Sequence, residues 1–122
     1  MQLNYDLVRE IMLALEAKPV YGEVLNRDII IPNHSTEEVA YHCELLYEKK
    51  FISSYESKCN GNRVIFFKVG DLTWAGHEYL ETVREKTRWE KIKKVISDKG
   101  EPLLVETVKT VSNVLIQKAL VG

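Results

Sequence analysis

The side chains of this chain that could react or bind are few and scattered. Three histidines, His34, His42 and His77, and two cysteines, Cys43 and Cys59, carry donor atoms fit for a metal. No two of them stand at ligand spacing on one element, and there is no CxxC. His42 and Cys43 are adjacent, so on a helix they point in different directions. No serine or cysteine has the context of an activated nucleophile with a spaced base. No glycine cluster matches a phosphate-cradling loop, and no carboxylate pair has an acid–base pattern. No catalytic residue, metal or cofactor is therefore assigned, and the chain is expected to be non-enzymatic.

The remaining chemistry is charge. The formal net charge is −1, yet residues 1–48 hold three basic and nine acidic residues, whereas residues 49–69 hold five basic and one acidic. An anionic partner is expected to meet the second segment, where Lys49, Lys50, Lys58, Arg63 and Lys68 are candidate phosphate contacts on double-stranded DNA. Tyr41 and His42 are added as side chains able to reach bases. Arg84, Arg88 and Lys91 form a later basic row, but Glu78, Glu81, Glu85 and Glu90 beside it would absorb much of that charge in exposed helical pairs. Opposite a stripe of Val39, Cys43 and Leu46 lie Glu37, Tyr41, Glu44 and Glu48. Such an acidic face repels a polyanion and instead suits contact with another protein.

These residues must be carried by elements whose periods are readable. Leu7, Val8, Ile11, Met12 and Leu15 predict a helix from about Asn4, its cap, to Ala17. Ile29, Ile30 and Ile31, closed by Pro32, read as a short strand. Ser35 or Thr36 caps the next helix, with Glu38 completing a capping box; its stripe is Val39, Cys43, Leu46 and Tyr47, and it runs to about Lys50. Phe51 to Val69 reads as a hairpin turning about Asn60-Gly61 as a type I′ loop. Constant register then pairs Lys58 with Arg63, Tyr55 with Phe66 and Ile52 with Val69, and gives Ile52, Ile65, Phe67 and Val69 a common face. Two cations opposed at the tip would be relieved by an anion.

Thr73 caps a helix in which Trp74 and Leu80 pack inward and Gly76 allows close approach of a neighbour. Trp89, Ile92 and Ile96 form a rotated stripe after a bend near Thr87 or Arg88. Lys99 and Gly100 suit a helix end, and Pro102 the first turn of a final helix to about Leu120. That last helix is apolar over more than one stripe, so Leu104, Val108, Val111 and Leu115 are candidate homodimer contacts.

At 122 residues, 45% of them apolar, the chain is expected to form a single α+β domain over 1–122. Residues 1–88 would be its core and 89–122 a C-terminal helical extension packing on that core or on a dimer partner. Asp6, Arg9 and Glu10 interrupt the amino-terminal apolar pattern, so neither a signal peptide nor a membrane span is expected there, and a cytoplasmic location with free thiols follows.

Helix, short strand, helix, hairpin and helix in that order is the skeleton of a winged helix in which the hairpin is the wing. The segments 5–10 (Tyr-Asp-Leu-Val-Arg-Glu), 41–46 (Tyr-His-Cys-Glu-Leu-Leu) and, most specifically, 72–80 (Leu-Thr-Trp-Ala-Gly-His-Glu-Tyr-Leu) resemble a family of uncharacterised bacterial and phage proteins, a domain of unknown function. The resemblance spans roughly the whole chain. It implies a winged-helix-like fold and frequent carriage by phages or prophages, and transfers no catalytic or ligand-binding residue. The segment Val39–Ile52, with Leu45 and Leu46 before the wing, is similar to recognition helices of metal-sensing and multidrug-type repressors. The second helix of a helix-turn-helix is expected to be reduced, because Ile29–His34 shows no helical period.

Overall fold

The computed structural model describes residues 1–121 and is α+β. It divides into two compact units, Met1–His77 and Glu78–Gly122. The first unit begins with α1, Tyr5–Glu16. Asn4 caps it, its Oδ1 accepting from the amides of Asp6 at 3.0 Å and Leu7 at 3.1 Å. The expected stripe Leu7, Val8, Ile11, Met12 and Leu15 is buried throughout.

Strand β1 is Val24–Leu25, not Ile29–Ile31. It pairs antiparallel with β3, Arg63–Val69, through Val24 opposite Val69 and Leu25 opposite Lys68. The ladder stops there because the side chain of Asn26, rather than a strand carbonyl, accepts the Phe67 amide at 3.1 Å. The main chain is thereby released into a single 3₁₀ turn, Asn26–Asp28. Ile29 and Ile31 are buried and Ile30 is exposed, so this run alternates like a strand while making no ladder.

Helix α2, Thr36–Glu48, starts from the capping box expected at Ser35 and Glu38, with the Glu38 amide donating to Ser35 Oγ at 3.1 Å and the Ser35 amide to Glu38 Oε1 at 3.3 Å. Val39, Ala40, His42, Cys43 and Leu46 are buried, while Tyr47 is exposed. The helix ends in a Schellman motif: the Phe51 amide donates to Leu46 O and the Lys50 amide to Tyr47 O, both at 2.9 Å. Lys50 takes the left-handed position, φ +66°.

Strand β2, Tyr55–Asn60, completes an antiparallel sheet of order β1-β3-β2. The hairpin is where expected but its register is not. Asn60 pairs with Arg63, so the loop is Gly61-Asn62, and of these only Gly61 has positive φ, the pattern of a type II′ turn. A bulge between Lys58 and Cys59 then shifts the ladder, placing Lys58 opposite Phe66 and Tyr55 opposite Val69. Ile52 bridges to Leu72 instead of Val69. The residue taken up by the bulge is Ile65, which is 54% exposed, whereas Ile52, Phe67 and Val69 are buried as expected. Helix α2 packs on α1, β2 and β3 to close this unit's core.

A clamp ties the end of α1 to the segment after β3. Lys18 Nζ lies 2.8 Å from Asp71 Oδ1, and Asp71 Oδ2 accepts the Gly22 amide at 2.9 Å. The lysine's hydrogen bond holds the Asp71 carboxyl below its ordinary range.

Helix α3, Trp74–Val83, begins in the first unit and ends in the second. Tyr79, Leu80 and Val83 are buried, but Trp74 is 81% exposed. The buried positions repeat from Gly76 through Leu80 to Val83, and Trp74, two residues before Gly76, projects from nearly the opposite side. In the second unit α4, Lys86–Asp98, starts from Glu85, whose side chain accepts the Thr87 and Arg88 amides at 3.1 and 2.6 Å. The break thus falls at Arg84–Glu85, just before the bend expected at Thr87 or Arg88. Trp89, Ile92 and Ile96 are buried as anticipated, and Gly100, φ +70°, follows the Lys99 cap. Helix α5, Val105–Val121, packs on α4 and starts three residues after Pro102. There the Thr107 hydroxyl accepts the Leu104 amide at 2.9 Å. Among the described residues no helix is long and apolar enough to cross a membrane.

Candidate nucleic-acid interface

Four of the five basic residues singled out from the sequence lie on exposed positions with no ion-pair partner among the described residues. Lys49 and Lys50 close α2, and Lys58 and Arg63 flank the hairpin turn. The fifth, Lys68, stands opposite Glu56 in the ladder, with its Nζ 3.4 Å from Glu56 Oε2, so its charge is partly matched within the hairpin. Exposed apolar side chains accompany the cations: Ile65 and Phe66 on the hairpin and Tyr47 near the end of α2.

His42 does not belong to this surface. It is 1% exposed. Its Nε2 accepts the Asn4 amide at 2.9 Å, which assigns the ring proton to Nδ1, where it donates to Glu38 O at 2.8 Å. The ring therefore joins the N-terminus of α1 to α2 and has no edge left for a base. Tyr41 remains exposed, its ring edge-on to His42 at 5.6 Å between centroids. Around it Glu44 and Glu48 are exposed and Glu37 half-buried, so the acidic face of α2 stands as expected.

Cys43 is buried, and burial pushes its thiol up to about 12, which withholds the thiolate that nucleophilic or metal chemistry needs. Cys59 is exposed beside the turn; both are free thiols. No group of three or more His, Cys, Asp or Glu among the described residues is placed to hold a metal ion. A cleft of about 220 Å³ lies against Ile29, His34, Thr36 and Phe67, smaller than the roughly 300–1,000 Å³ of ordinary small-molecule sites.

In the second unit Arg84 of the later basic row is paired, while Arg88 and Lys91 have no ion-pair partner among the described residues. Arg84 meets Glu81 at 2.6 Å, and Lys93 and Lys94 meet Glu90 and Asp98 at 3.3 and 3.1 Å. Of the candidate dimer contacts, Leu104 is exposed and Val111 and Leu115 are half-buried, but Val108 is fully buried within its own chain and unavailable to a partner. Val114, not singled out from the sequence, is exposed instead.

Residues 2–102 match the family described as Hypothetical protein (DUF2513). The chain is also 31% identical over 124 residues to an uncharacterized protein of Haemophilus influenzae strain Rd, a similarity covering 98% of this chain and 99% of that one. No solved structure matches.

Proposed function

The chain belongs to the DUF2513 family of hypothetical proteins, and on that footing we propose that it is a non-enzymatic winged-helix protein with a regulatory role, acting in the cytoplasm by contacting duplex DNA through its wing. The element order α1, β1, one 3₁₀ turn, α2, β2, β3 and the sheet order β1-β3-β2 support the winged-helix reading, with the turn Asn26–Asp28 standing for a reduced second helix. The observation that carries the DNA reading is the set of cations Lys49, Lys50, Lys58 and Arg63 with no carboxylate partner among the described residues. In this mode the wing meets phosphates, and α2 does not enter the groove, because Glu37, Glu44 and Glu48 would be pressed against them. Contact is then mainly with the backbone and weakly dependent on sequence.

Lys58→Glu combined with Arg63→Glu is expected to weaken binding to random duplex DNA by at least about tenfold at low salt and to lower the salt slope by about two. Fluorescence anisotropy on a labelled duplex measures both, and an unchanged affinity would sink the wing as the contact. A second reading is favoured by the acidic face itself: Glu37, Tyr41, Glu44 and Glu48 would dock another protein, and the charge reversal on the wing would then leave function untouched. The apolar strip of exposed Leu104 and Val114 and half-buried Val111 and Leu115 is the proposed meeting place of a homodimer. Light scattering should then give twice the 14.1 kDa chain mass, and a mass of one chain would remove the dimer from the account.

A further inference from the structure

Trp74 opens α3 yet contributes little to the core, being 81% exposed. Its position is nevertheless tightly held. The Thr73 hydroxyl donates to Lys50 O at 2.6 Å and accepts the Gly76 amide at 3.1 Å, and the Thr73 amide donates to Phe51 O at 3.0 Å. The start of α3 is thus fastened to the turn that ends α2. Beside that turn stand the exposed Lys49 and Lys50, without ion-pair partners among the described residues, and half-exposed Tyr47.

The conformation of Lys50 adds a separate observation. Helices α2 and α4 end in the same hydrogen-bond pattern: Gly100 donates to Ser97 O at 3.0 Å and Glu101 to Ile96 O at 3.1 Å, as Lys50 and Phe51 do to Tyr47 and Leu46. In α4 the left-handed position is filled by Gly100, φ +70°; in α2 the same position, φ +66°, holds a lysine. A side chain strains that backbone, so the turn fastened to the start of α3 holds a lysine where glycine would fit better. The positive end of the α3 dipole lies on the same side.

We propose that exposed Trp74, with Lys49 and Lys50 on the turn fastened to the start of its helix, is a stacking site for an unpaired base of single-stranded DNA. The inference rests on the nucleic-acid reading above and adds a ligand class to it. The indole face takes a base of any identity, and the two ammonium groups take the phosphates on either side. Charge selects the occupant: an apolar peptide would satisfy the indole but leave both lysines unmatched.

The test uses intrinsic fluorescence of the full chain, in which Trp89, 1% exposed, is the second and shielded tryptophan. Titration with a short oligothymidylate is expected to quench Trp74 saturably. Trp74→Ala should weaken oligothymidylate binding, followed by anisotropy, about tenfold while leaving duplex affinity within about twofold. Trp74→Phe should recover most of the loss. Lys50→Gly should weaken the single strand about threefold while raising the melting temperature. If oligothymidylate neither quenches Trp74 nor binds, while duplex binding that depends on Lys58 and Arg63 persists, the stacking site is wrong and the wing reading stands. If neither nucleic acid binds, both fall.

Discussion

Gly76→Ala is expected to destabilise the protein by about 3 kcal/mol, although alanine is the better helix former. A Cβ built at Gly76 would lie 2.1 Å from the Phe51 carbonyl oxygen and 3.0 Å from its carbon. The obstacle is backbone, and it cannot swing aside as a side chain would. Nor can α3 back away cheaply, because Thr73 is tied to Lys50 and Phe51 by two hydrogen bonds. Overpacking of this kind costs about 1–3 kcal/mol, and two lost hydrogen bonds cost about 1 kcal/mol each. The helical preference for alanine returns only about 1 kcal/mol. Chemical denaturation gives the difference directly, and an alanine variant as stable as the parent would mean that the close approach of α3 to Phe51 is wrong.

The second large effect is expected at His42. His42→Ala removes a buried ring and leaves the Asn4 amide without its acceptor. The orphaned donor costs about 1–3 kcal/mol, and the cavity adds a further loss of about 2 kcal/mol, for roughly 4 kcal/mol in all. His42→Leu fills most of the space and should cost only about 2 kcal/mol, isolating the hydrogen bond. The Glu38 carbonyl loses less, because it lies one helical turn before His42 and keeps the helix amide. On the proposed DNA reading, both variants, where folded, should have the parent's affinity for duplex DNA. A specific loss of DNA affinity at unchanged stability would restore His42 to the binding surface and contradict its place between α1 and α2.

What was legible in the sequence was whatever is decided locally. The caps at Asn4, Ser35 and Thr73 and the stripes of α1 and α4 follow from neighbours within one or two turns, and they stand in the structure. The close approach at Gly76 was readable as well, because a glycine on the buried side of a helix has few other uses. The misreadings come from longer-range choices. A two-residue strand such as Val24–Leu25 has no periodicity to find, and the more β-branched Ile29–Ile31 drew the assignment away from it. The bulge at Lys58/Cys59 leaves no mark in the residue types, and it carries the rest with it. In the expected register Lys68 faces Ser53 and looks free; in the observed one it faces Glu56 and is paired. Trp74 was placed inside on apolarity alone, though its distance from Gly76 already set it off the buried line.

The proposal that the four unmatched cations around the hairpin turn and the end of α2 contact DNA is tested most directly by the salt dependence of the wild-type protein's binding to random duplex DNA. If Lys49, Lys50, Lys58 and Arg63 each meet a phosphate, log affinity should fall linearly with log salt with a slope of about −3 to −4. Affinity independent of salt, or no binding at the lowest salt, would contradict the account and leave the acidic face of α2 as the surface to pursue.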